Sequence, residues 1–231
     1  MNIAIVLSGG TGTRLGGDIP KQYVEVGGKP IIIYSLETLN RSNHIDKIQI
    51  VAEDSWVDSI KSWTKEFGVE KKIAGFSKPG ENRQLSIYNA LKDVAVYADA
   101  SDVVIVHDAA RPNLTEDIIA RSVQGMDGYD GVIPILPMKD TVYLSKDGKQ
   151  IDSNLKREQI FAGQAPETFV LGKYLDVNQK LVDSGEIFKI NGSTEPAVMA
   201  GMKMHMIDGD EGNYKITTRD DLERFIEQIR R

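Results

Sequence analysis

Cysteine is absent from the 231-residue chain, which excludes disulfide staples, thiolate zinc sites and a cysteine nucleophile. Histidine is nearly as scarce. Three scattered copies, His44, His107 and His205, offer little for a histidine-based metal cage, so any metal is expected to be a hard ion held by oxygens. Long apolar runs are missing too: none approaches the ~18 residues that a bilayer-crossing helix needs. The first residues, Met1 to Leu7, carry neither a basic leader nor a small-residue cleavage site, and the expected location is therefore cytoplasmic, without membrane attachment. Basic charge is also in short supply. The chain has 28 Lys and Arg against 34 Asp and Glu, a formal charge of −6 and a pI near 5.2. Duplex binding relies on clustered cations that displace counterions, so no nucleic-acid partner is expected and small-molecule chemistry is. What the chain does have is 41% hydrophobic residues, enough to core one domain spanning residues 1–231 with an appendage.

Asn2–Leu7, Lys47–Ala52, Val103–His107 and Gly131–Leu136 are short β-branched runs without alternation, the pattern of strands buried on both faces of a parallel sheet. Between them, Pro30–Leu39, Ser55–Phe67, Arg83–Val96 and Glu116–Val123 recur at helical spacing, with Pro30 in a first turn and Thr115 as an N-cap. Strand alternating with helix predicts an α/β fold with a doubly wound, mostly parallel sheet. Ligands of such sheets sit beyond the carboxyl ends of the strands, which directs attention to the loops after Leu7, Ala52, Gly75 and His107. After Pro137 the pattern changes. Thr141–Leu144 and Gln150–Ser153 flank a turn containing Asp147-Gly148 and predict a projecting β-hairpin arm over residues 139–156. An isolated hairpin is marginal alone, so the arm predicts a homodimer. Helices at Leu171–Ser184, Glu195–Ala200 and Arg219–Arg230 and a strand at Met202–Ile207 complete the reading.

The first strand runs into Leu7-Ser8-Gly9-Gly10-Thr11-Gly12-Thr13-Arg14-Leu15-Gly16-Gly17, five glycines and one arginine in eleven residues. Glycines let backbone N–H groups approach an oxyanion closely, so this loop reads as a phosphate cradle. It lacks the Gly-Lys-Ser/Thr of a Walker loop and the form of a dinucleotide fingerprint. Pro20-Lys21-Gln22 follows. Arg14 and Lys21 together can neutralise a polyphosphate and stabilise the charge that grows on it in a transition state.

Gly-Gly-x-Gly-x-Arg-Leu-Gly followed by Pro-Lys-Gln resembles the signature of the nucleotidyltransferases that make CDP-polyols, above all the 2-C-methyl-D-erythritol 4-phosphate and ribitol-5-phosphate cytidylyltransferases. The resemblance implies a Rossmann-like nucleotidyltransferase fold and transfer of CMP from CTP to a polyol phosphate with release of pyrophosphate. It continues through Glu81-Asn82-Arg83-Gln84-Leu85-Ser86, through Val106-His107-Asp108-Ala109-Ala110-Arg111-Pro112, through Lys139-Asp140-Thr141 and through Gly212-Asn213-Tyr214-Lys215-Ile216-Thr217-Thr218. By this likeness Ser8, Gly9, Gly10, Thr11 and Gly12 hold nucleotide phosphates, while Gly80, Glu81, Arg83 and Ser86 surround the cytosine. Asp108 takes a Mg²⁺ ion that bridges the phosphates, and Arg14, Lys21 and Lys215 supply catalytic charge. Arg111, Thr141 and Thr194 belong to the substrate side. Arg157, counted with both the catalytic and the substrate residues, reaches the polyol phosphate across a dimer interface.

Two departures fall on the polyol side. The family's Gln-Thr-Pro-Gln-x-Phe is here Gln164-Ala165-Pro166-Glu167-Thr168-Phe169, and its Thr-Asp is Thr194-Glu195, which predicts an atypical acceptor. Ser8-Gly9-Gly10 is spelled closer to the ribitol-phosphate enzymes, a surface-polymer role, whereas Ala109-Ala110 is spelled like the methylerythritol enzymes of isoprenoid synthesis. Competing readings are a UTP-, GTP- or dTTP-dependent sugar-1-phosphate enzyme, an NAD(P)-dependent oxidoreductase and a catalytically silent nucleotide-binding module. The oxidoreductase lacks the acidic residue about twenty positions beyond a Gly-x-Gly-x-x-Gly turn. His44, His205, Trp56 and Trp63 are read as structural.

Overall fold

A computed structural model describes residues 1–10 and 19–230. In chain order the strands are β1 (Asn2–Leu7), β2 (Glu25–Val26), β3 (Lys29–Pro30), β4 (Lys47–Val51), β5 (Ile73–Ser77) and β6 (Val103–Asp108), followed by β7 (Gly131–Pro137), β8 (Val142–Leu144), β9 (Ser153–Leu155), β10 (Phe161–Gly163), β11 (Glu167–Val170) and β12 (Met204–Asp208). The helices are α1 (Ile31–Arg41), α2 (Asp54–Glu66), α3 (Arg83–Val94), α4 (Glu116–Gln124), α5 (Leu171–Ser184), α6 (Glu195–Met199) and α7 (Arg219–Arg230). The main sheet is ordered β10-β7-β11-β6-β1-β4-β5, with β12 beside β7.

Strand β1 lies between β4 and β6, parallel to both, and its period-two geometry feeds two separate cores. Ala4 and Val6 pack with Ile33 and Leu36 of α1 and Ile118 of α4, whereas Ile3 and Ile5 pack with Ile87 and Leu91 of α3 and Tyr174 of α5. All four β1 residues are fully buried, and each large side chain so placed stabilises the fold by about 1.5–3 kcal/mol. Burial on both faces is why the strand shows no alternation in sequence.

The sheet is mostly parallel, as expected, but not uniformly so. Strand β11 runs antiparallel between β6 and β7, and β10 runs antiparallel to β7. The four residues of β11 are too short to show a period, and sequence reading treated them only as part of a motif. Thr115 caps α4 as predicted, accepting from Ile118 N–H at 3.3 Å, and Pro30 precedes α1 as its N-cap rather than standing in its first turn.

The arm is present, with its second strand displaced: β8 pairs with Ser153–Leu155, not with a strand beginning at Gln150. The intervening amides are taken by side chains. Asp147 accepts from Lys149 and Gln150 N–H, Asp152 accepts from Lys146 N–H, and the Ser145 hydroxyl accepts from Gly148 N–H. Gly148, at φ +70°, supplies the left-handed turn. The structural readings of Trp56, Trp63 and His205 hold. Tyr23 stacks on Trp56 at 4.4 Å beside Trp63, and Tyr129 stacks on His205 at 4.5 Å.

Candidate active site

The carboxyl ends of β1, β4, β5 and β6 open on a cavity of about 550 Å³. Gly9 and Gly10 follow β1, Glu53 follows β4, Gly80 to Arg83 with Ser86 follow β5, and Asp108 ends β6; Lys21, Gln22 and Lys215 close the rim. These are the four loops singled out by the strand pattern, and the lining gathers motifs that lie far apart in the chain. Thr11, Gly12 and Arg14 lie outside the described residues.

Close packing explains two of the glycines. A Cβ on Gly9 would stand 2.5 Å from Pro79 Cβ, and one on Gly80 would meet Leu85 Cβ at 2.6 Å. Gly10 faces open space. The loop is pinned from below by Gln22, whose Nε2 donates to the carbonyls of Ser8 at 2.6 Å and Gly10 at 2.7 Å, and by Tyr23, whose hydroxyl donates to Ser8 O. Sequence reading credited Pro20-Lys21-Gln22 with charge alone and missed this amide clamp. Ser8 itself turns inward, donating to Val51 O at 2.6 Å, so its hydroxyl is engaged by the fold.

Helix α3 starts at the cavity. Asn82 caps it by accepting from Leu85 N–H at 2.7 Å, and the Ser86 hydroxyl accepts from Gly80 N–H and donates to Asn82 O. The N-terminal end of α3 thereby adds its positive partial charge to the cavity rim.

Asp108 is the electrostatic centre. Its carboxylate meets Lys215 Nζ at 3.0 Å, Arg83 at 3.2 Å and Arg111 Nε at 3.5 Å. Burial pushes this carboxyl up, but Arg83, Lys215 and Arg111 together outweigh burial and hold it well below the usual carboxylate range. Arg111 serves as a charge partner here and also donates from Nη1 to Asn213 O at 2.7 Å. Asp108 caps no helix, a role that Thr115 fills. His107 is fully buried, and desolvation takes it down to about 4, so its ring is neutral at pH 7 and donates from Nε2 to Arg111 O. Arg83 has a second anionic neighbour, Glu167, at 3.6 Å.

The remaining predicted residues stand elsewhere. Thr141 is exposed on the arm and Arg157 just past its end, with Arg157 Nη1 donating to Lys139 O at 2.8 Å. Thr194 is the N-cap of α6 and makes no side-chain capping bond. Of the two departures, Glu195 accepts from the amides of Asn191 at 2.8 Å and Gly192 at 3.4 Å, while Glu167 lies buried behind Arg83.

The chain is 30% identical over 226 residues to a ribitol-5-phosphate cytidylyltransferase of Streptococcus agalactiae serotype V, with 97% of this chain and 93% of the relative covered. It is 33% identical over 236 residues to a 2-C-methyl-D-erythritol 4-phosphate cytidylyltransferase of Clostridium botulinum type Ba4, with 99% and 98% covered. The crystal structure of 4-diphosphocytidyl-2C-methyl-D-erythritol synthase from Anaerococcus prevotii superposes with a TM-score of 0.84 at 25% identity, over 100% of this chain and 96% of that one. The family profile of 2-C-methyl-D-erythritol 4-phosphate cytidylyltransferase (IspD) matches residues 2–229, and on this match and these relatives the chain belongs to the IspD family.

Proposed function

We propose that this cytidylyltransferase moves CMP from CTP to a polyol phosphate of the 2-C-methyl-D-erythritol 4-phosphate type. The observation that carries this reading is the meeting of Lys21, Arg83, Lys215 and Asp108 with the glycines of two loops around one nucleotide-sized cavity. An acceptor phosphate oxygen forms a bond to the α-phosphorus of CTP, the bond from that phosphorus to the β-phosphate bridging oxygen breaks, and pyrophosphate leaves with the electron pair. A dianionic phosphate is already a nucleophile, so no general base is needed. The protein's task is to align two anions that repel each other and to stabilise the charge of the five-coordinate phosphorus. Lys21 and Lys215 serve that charge from the cavity rim, and the family resemblance implies the same role for Arg14, which lies outside the described residues.

Among the described residues no group of three or more His, Asp or Glu is placed to hold a metal. A single carboxylate kept anionic at a strand end nevertheless fits Mg²⁺, which takes one or two carboxylates and fills its remaining positions with substrate phosphates and water. Asp108 would hold the ion, and the ion supplies further neutralisation of the triphosphate when bound.

Ribitol 5-phosphate is the second reading, favoured by the Ser8-Gly9-Gly10 spelling and by the streptococcal relative. Pyrophosphate release measured with CTP and Mg²⁺ against methylerythritol, ribitol and glycerol phosphates separates the two by kcat/KM. CTP binding without turnover on any acceptor would instead identify a silent nucleotide-binding module, and preference for UTP, GTP or dTTP with a sugar 1-phosphate would refute the cytidylyl reading.

The proposal includes a cytoplasmic homodimer joined through residues 139–156. Among the described residues no helix is long and apolar enough to cross a membrane. Tyr143, Leu144 and Ile151 are exposed on a two-stranded arm, a combination that a second copy would cover. Sedimentation as a monomer at micromolar concentration would count against it. Arg157→Ala is expected to raise KM for the polyol phosphate about 10- to 100-fold, the range for losing one charge-assisted hydrogen bond. KM for CTP should stay within about twofold; a CTP defect would place this arginine in the nucleotide site instead.

A further inference from the structure

A carboxylate that the mechanism does not use stands behind Arg83. Glu167 begins β11, and its side chain is only 12% exposed. Oε1 accepts from Ser193 Oγ at 2.5 Å, whereas Oε2 is buried without a hydrogen-bond partner and lies 3.6 Å from the Arg83 guanidinium. Arg83, 32% exposed and lining the nucleotide cavity, is therefore shared between Asp108 at 3.2 Å and Glu167. Glu167 does not line the cavity itself.

A buried carboxylate is costly unless a cation answers it; burial pushes the Glu167 carboxyl up, the Arg83 guanidinium draws it back, and that guanidinium lines the cavity an incoming nucleotide would enter. Arg83, Arg111 and Lys215 set three positive charges against the two carboxylates Asp108 and Glu167, leaving one in excess. Without the charge of Glu167 the excess would be two. The same side chain also ties β11 to the segment that leads into α6, because Ser193 sits beside Thr194, and Glu195 closes that segment through the amides of Asn191 and Gly192.

We infer that Glu167 is a positioning residue: it holds Arg83 between two carboxylates and weakens the cavity's grip on polyphosphate, which favours release of pyrophosphate after transfer. The inference rests on reading the cavity as the CTP site, and the test keeps the two apart. Calorimetric binding of CTP and, separately, of inorganic pyrophosphate is compared between wild type, Glu167→Gln and Ser193→Ala at one magnesium concentration. Glutamine keeps the volume and the acceptor for Ser193 while removing the charge. A unit charge within roughly 10 Å of the phosphates, in partly screened surroundings, predicts about three- to tenfold tighter binding of both ligands by Glu167→Gln. Ser193→Ala, which keeps the charge, should stay within about twofold of wild type. Tighter binding cannot arise from a damaged fold. Glu167→Met, of similar volume and without polar atoms, should show the same gain where glutamine is poorly accommodated. Equal or weaker binding of both ligands by the charge-removing variants overturns the inference, as does an equal gain in Ser193→Ala. Wild-type binding of pyrophosphate but not CTP would sink the cytidylyl reading while leaving the charge effect of Glu167 to stand on the pyrophosphate data.

Discussion

Lys21→Ala is expected to lower kcat by about 100-fold or more, because removing one oriented donor to a transition state costs about 3 kcal/mol. The side chain lines the cavity from the first residue of a short 3-10 turn, Lys21–Tyr23, whose next two residues are both bonded to the glycine loop. The ammonium is thus carried by backbone that is fixed relative to the glycine loop. A charge placed this way matters most when negative charge accumulates at the α-phosphorus, so the loss should fall mainly on kcat rather than on KM for CTP. Single-turnover pyrophosphate release under saturating CTP separates this step from product release. A variant with full rate would remove Lys21 from the mechanism, and a defect confined to KM would make it a ground-state contact.

Much of this geometry can be read from local residue patterns. Strand β1 and helices α5 and α7 have the bounds that periodicity predicts, because each buries a face dictated by its own residues. The four strand-end loops that line the cavity follow from the alternation of strand and helix. What sequence reading missed has a common cause, which is distance along the chain. Asp108 meets Arg83, 25 residues earlier, and Lys215, at the far end of the chain, and no spacing rule pairs them; Arg111, three residues on, is the partner that local sequence exposes. Strand β11 is legible only once β6 and β7 are in place on either side of it. Glu167, a departure that the resemblance puts on the polyol side, is buried against Arg83 of the cavity lining, a pairing across 84 positions that no local pattern exposes. Glu195 is the opposite case. Its bonds to amides three and four positions earlier are local, and its substitution for aspartate can be understood as helix-start chemistry without reference to any acceptor.

Asp108→Asn is expected both to abolish most turnover and to destabilise the chain. Arg83, Lys215 and Arg111 all direct charge at this carboxylate, whose side chain is 10% exposed, and removing one member of a buried ionic cluster costs about 3–5 kcal/mol. Urea unfolding should show this as a lower midpoint with an unchanged slope. The pH dependence gives the test its specificity. Because the folded-state pKa of Asp108 lies below its ordinary value of 3.8, its stabilisation is fully present above 3.8 and is lost only as pH falls through the lower, folded value. The stability gap between wild type and Asp108→Asn should therefore stay constant between about pH 7 and pH 5 and begin to narrow only below about pH 4. A gap that closes already between pH 7 and pH 5 would mean that the three cations do not hold the carboxylate as the distances indicate. Kinetically, kcat should fall about 100-fold or more, since Lys215 loses the partner that aims it and, on the proposed reading, Asp108 would no longer offer an oxygen to Mg²⁺. CTP binding measured without magnesium should be retained or tightened, because the cavity gains net positive charge. That combination, binding kept and turnover lost, distinguishes an aligned charge centre from a residue that merely shapes the cavity, for which both would decline together.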